Sequence, residues 1–163
     1  MFPNQEDIIH NTIPYFDGGA SISRTARPFP SWLIFKPAMF LTSYLLIRYW
    51  LYNKGIIELF NKHHKYINKV VYFGIASAIA LTIHSIFLGI KFDNDLYKLF
   101  RRVVMLLFIS FEIAAQAYLV ATFYSFKDKL SKYINVKILK LKLILVSVLI
   151  VVALISVPLI SLP

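Results

Sequence analysis

Residues 103–123 read VVMLLFISFEIAAQAYLVATF. Only Glu112 is formally charged in this run. A helix rises about 1.5 Å per residue, so some twenty apolar residues cross a hydrocarbon core of about 30 Å. The run is therefore read as one transmembrane helix. A spanning segment must satisfy its backbone internally, and a continuous apolar run does so as a helix.

Three further runs of similar length surround it. They cover residues 32–52, 70–90 and 143–162. The predicted fold is all-α, a bundle of four transmembrane helices over residues 30–163. Residues 1–29 form a separate polar segment, with turn-forming Gly18, Gly19 and Pro28 inside it and Pro30 just after it. The chain has 163 residues, of which 58% are hydrophobic, and its mean hydropathy is +0.66. Soluble domains of this size are usually less apolar. There is no cysteine, which excludes disulfides, iron–sulfur clusters and thiolate zinc sites.

The net charge of +10 follows the apolar runs rather than forming a nucleic-acid patch. Arg48, Lys54, Lys62, Lys65, Lys69, Lys127, Lys129, Lys132, Lys137, Lys140 and Lys142 fall on one side of the expected membrane. Arg24, Arg27, Lys36, Lys91, Lys98, Arg101 and Arg102 fall on the other. The positive-inside rule puts the larger group in the cytoplasm. Residues 1–29 and the C-terminus are then expected to be extracytoplasmic. The loop GIIELFNKHHKYINK at residues 55–69 reads either as an ordinary basic loop or as an amphipathic helix on the membrane surface. The expected partners are membrane lipids, with no nucleic acid.

Few polar groups lie inside the runs. Lys36 and Arg48 are near helix ends and can snorkel. His84 and Glu112 are deeper. Measured from the ends of their runs, they sit roughly 9 Å and roughly 14 Å inside. Antiparallel neighbours could then join them, with Thr82 and Ser85 supporting His84, and Ser110 and Gln116 supporting Glu112. The candidate buried polar site is His84, Glu112 and Gln116. It reads either as a structural hydrogen bond between helices or as a site for protons or a lipid headgroup. Small residues, among them Gly74, Ser77, Ala78 and Ala115, allow close helix approach. No catalytic residue, cofactor or metal ligand set is expected. His63 and His64 are adjacent and do not share a helix face. No phosphate-binding, GxSxG or HExxH pattern occurs.

The stretch IPYFDGGASISRTARPFPSWLIFKPAMFLTSYLLIRYW at residues 13–50 resembles the DRAM/FRAG-type superfamily of six-pass membrane proteins. That superfamily includes autophagy modulators and relatives that act in GPI-anchor lipid remodelling. The matching residues are Pro14, Tyr15, Asp17, Gly18 and Pro28, then Arg48 and Tyr49. Phe16 departs from the family motif, and the Gly-to-Pro spacing is longer. The resemblance covers about the first third of the chain. It implies that these helices are the central four of six, in a longer protein. It also marks an outer-loop motif, Pro14, Tyr15, Asp17 and Gly18, which Arg24 and Arg27 would help to make a cap.

The sequence thus points to a non-enzymatic membrane protein that binds or organises lipid. The alternatives are a lipid-modifying enzyme or its accessory subunit, and a small proton-coupled transporter. Abundant Lys, Asn and Ile point to an AT-rich bacterial genome, and so to a bacterial inner membrane.

Overall fold

The computed structural model describes residues 30–88 and 94–161. All elements there are helices: α1 Ser31–Phe60, α2 Ile67–Phe87, α3 Asp95–Ser125, the single turn α4 Lys127–Leu130, and α5 Val136–Ser161. Three stretches are long and apolar enough to cross a membrane: α2, α3 and Val136–Ile155 of α5. The fourth expected span lies in α1, which has the length but not the apolar content. Lys36, Arg48 and several hydroxyl-bearing side chains dilute it.

The helices run past the apolar runs because local signals set their ends. Asn94 caps α3, its side chain accepting from Leu96 N at 3.1 Å, and Asp95 occupies the first turn, where a helix favours negative charge. The helix therefore begins eight residues before the apolar run. Asn135 caps α5 in the same way, accepting from Lys137 N at 2.9 Å. The basic VKILKLK stretch is thus the first part of α5.

The loop at residues 55–69 is neither a plain loop nor a separate surface helix. Residues 55–60 continue α1, and α2 begins at Ile67. The reason is packing. Ile57 is fully buried and joins Trp50, Ile67, Val70, Ala115 and Leu119 in one cluster from α1, α2 and α3. Burial of Ile57 holds the end of α1 helical past Gly55, which has open space around its Cα.

α2 is the centre of the assembly. It packs most extensively on α3, then on α1, while α5 leans on α3. Gly74, Ser77, Ala78 and Leu81 are buried along α2, a small-residue stripe that lets neighbours approach closely. At Gly74 the indole of Trp50 takes the space of a side chain, and a Cβ there would overlap the ring. Higher up, buried Ser43 donates to Ala78 O at 2.6 Å and meets Thr82 Oγ1, clipping α1 to α2. α5 is different. Leu139 and Val146 are buried, while Leu141, Ile144, Leu145, Val148, Leu149, Leu154 and Ile155 are exposed. Such an apolar exterior suits lipid.

Candidate functional site

Glu112 projects from the middle of α3 toward α2. Gln116, one turn later, donates from Nε2 to Glu112 Oε1 at 3.0 Å. Ser77 of α2 donates from Oγ to Oε2 at 2.8 Å. The same hydroxyl is 2.8 Å from Gly74 O. A hydroxyl has one proton, so it donates to one acceptor at a time. Each carboxyl oxygen thus has a donor within hydrogen-bond distance, and the side chain is half-buried rather than turned fully to the exterior. This is how an acidic group is kept in an apolar layer, through hydrogen bonds to a neighbouring helix.

The expected partners are only partly assembled. Gln116 joins Glu112, and His84 does not. His84 is buried, and its Nδ1 has no hydrogen-bond partner among the described residues. The register of α2 against α3 explains the separation: the Phe87 ring meets that of Phe100 at 5.2 Å, and it is Ser77 that stands opposite Glu112. Ser77, which does face Glu112, is two helical turns below His84, about 10 Å along α2. Thr82 and Ser85 donate to Ala78 O and Leu81 O of their own helix, and Ser110 is exposed. In the sequence Ser77 is legible only as a small residue. Its second role depends on register between helices, which sequence does not carry.

Removing this contact should have a modest, measurable cost. Hydrogen bonds between helices in a membrane average about 0.6 kcal/mol and reach about 1.7 kcal/mol. A double-mutant cycle of Ser77→Ala and Glu112→Ala, read by thermal unfolding in bicelles, is expected to give a coupling in that range. A coupling of zero would show that the contact does not stabilise the fold.

A second feature is a groove of about 630 Å³ along the exposed side of α2. Lys54 of α1 and Asn68 stand at one end. Tyr72, Ile75, Ile79 and Ile83 follow along α2, and Leu107 and Phe111 of α3 complete the wall. Lys54 is also 3.7 Å from Glu58, both side chains being partly exposed.

The basic-loop end is rich in aromatic contacts. The Lys65 ammonium lies 4.6 Å from the Tyr66 ring centre, and that of Lys69 lies 5.4 Å from Tyr118. His64 packs on Phe126 at 5.0 Å and lies 3.3 Å from Ser125 Oγ through Nε2. Its place is therefore in the packing of a turn. Arg48 donates to Tyr44 Oη at 3.1 Å and Tyr52 Oη at 2.7 Å. No group of three or more His, Cys, Asp or Glu gathers among the described residues. The outer-loop motif, Pro14, Tyr15, Asp17, Gly18, Arg24 and Arg27, lies outside the described residues. Comparison with known proteins finds no matching family model, no curated relative and no solved structure like this chain.

Proposed function

We propose that this chain is a non-enzymatic multi-pass membrane protein that holds a phospholipid in the groove along α2. The observation that carries the reading is the groove's polarity. Its one end has Lys54 and Asn68, and the rest is apolar. From Asn68 to Ile83 is fifteen residues of helix, about 22 Å. One leaflet's half of the hydrocarbon core plus its headgroup layer is about the same length. The volume also falls within the usual range for ligand pockets. An acyl chain would lie along Ile75, Ile79 and Ile83, with an anionic headgroup at Lys54. The Lys54–Glu58 pair is exposed and i,i+4, a weak kind of contact that a phosphate can displace.

In this reading α1 is the fourth span. Arg48 would be tolerated near the interface because Tyr44 and Tyr52, one turn away on either side, accept its protons. The basic excess would place the Lys54 end at the cytoplasmic leaflet. The DRAM/FRAG-type relationship belongs to the same proposal, and of its residues Arg48 and Tyr49 lie in α1.

Ala76→Phe tests the groove, because Ala76 lines its wall. Purified protein is placed in nanodiscs containing phosphatidylglycerol with a diazirine in one acyl chain. Photocrosslinking to α2 is expected to fall about tenfold in the variant, equivalent to about 1.4 kcal/mol of binding. Unchanged crosslinking, with unchanged thermal stability, would remove the lipid from this groove.

A further inference from the structure

We infer that the end of the α2–α3 pair opposite the basic loops binds a phosphate group through Arg101 and His84. The site is separate from the α2 groove and does not rest on that reading. Two side-chain nitrogens there, Arg101 Nε and His84 Nδ1, are shielded from solvent and have no hydrogen-bond partner among the described residues. Buried polar atoms are paired in the great majority of cases, and an unpaired one asks for an explanation. His84 retains only 8% of its exposure.

The helices bring the two residues to one level. Tyr97 Oη donates to Phe87 O at 2.7 Å, and the Phe87 ring meets Phe100 at 5.2 Å. His84 is one turn below Phe87 on α2. Arg101 follows Phe100 on α3, one turn below Tyr97, and its guanidinium lies 5.9 Å from the Tyr97 ring. Like-charged or donor groups gathered in a partly dry place call for an acceptor between them. Arginine offers a planar fork that fits phosphate oxygens, and an imidazole N–H adds a further donor.

The depth also fits. α3 has 31 residues, about 46 Å of helix, against a hydrocarbon core of about 30 Å. Its first turns therefore extend into the headgroup layer, where lipid phosphates lie. Arg102 is next in sequence but exposed, so it stands outside the shielded site and serves as a charge-matched control. The chemistry recognised is a phosphate group, supplied either by a phospholipid or by the free anion.

The test uses the full chain in an uncharged detergent, titrated with phosphatidic acid and read by native mass spectrometry. Diacylglycerol of the same chains is the control without phosphate. Phosphatidic acid is expected to bind and diacylglycerol to fail. Arg101→Gln is expected to weaken binding about tenfold, the size of a lost charge-assisted contact. His84→Gln should weaken it severalfold, and Arg101→Lys should fall between, having charge without the fork. Arg102→Gln should bind as wild type. Added inorganic phosphate that displaces the lipid would assign the site to the free anion, and failure to displace would assign it to the lipid. Equal binding by Arg101→Gln and wild type, or an equal loss in Arg102→Gln, would overturn the proposal. Ala76→Phe should leave this binding unchanged, which separates it from failure of the groove.

Discussion

Trp50→Ala is expected to lose about 3 kcal/mol of stability, the lower end of the range for deleting a large buried aromatic side chain. Trp50 is completely buried and belongs to the cluster that joins α1, α2 and α3. The lower end applies because lipid, rather than water, surrounds much of the separated helices. The transfer part of the cost shrinks and the packing part remains. The indole Nε1 has no hydrogen-bond partner among the described residues, so Trp50→Phe should cost far less: it retains an aromatic ring and removes an unpaired donor. The chain has two tryptophans, so unfolding is best followed by far-ultraviolet circular dichroism in bicelles rather than by fluorescence. Equal losses in the alanine and phenylalanine variants would mean that ring packing is not what Trp50 contributes.

Gly74→Ala should be nearly as damaging, by the opposite route. A Cβ at position 74 would overlap the Trp50 indole, and the atoms concerned belong to a rigid ring wedged between helices. Overpacking of this kind costs about 1–3 kcal/mol. The two substitutions meet at one contact, so their effects should not add. In Trp50→Ala/Gly74→Ala the new methyl group enters space that the indole has left, and the double variant should lose less than the sum, with a coupling of about 0.5–3 kcal/mol. Strictly additive losses would show that the ring and the glycine are not in contact.

Both expectations concern a glycine and a tryptophan whose roles the sequence only partly discloses. Gly74 is legible as a small residue in an apolar run. That it receives one particular indole is not. The same division holds at Glu112. Its isolation among apolar residues marks it as a group needing partners, and Gln116, one turn away, is found by helical spacing alone. Ser77 is found only when α2 and α3 are set side by side. The pairing of His84 with Glu112 that the sequence allows does not form, because Ser77, two turns from His84, takes the place opposite Glu112. The edges of the apolar runs do not mark the level of the helices: α3 starts at Asp95, eight residues before its run.

The sequence by itself determined the helical class, the long apolar helices and the basic loops, because these depend on length, hydropathy and backbone satisfaction, which are properties of each segment alone. Tertiary structure decided that α2 is central, that Trp50 packs on Gly74, that Glu112 meets Ser77, and that Tyr97 reaches Phe87. Each of these rests on the rotation and sliding of one helix against another. That choice is made by close packing between side chains far apart in the chain, and no periodicity within a single helix encodes it.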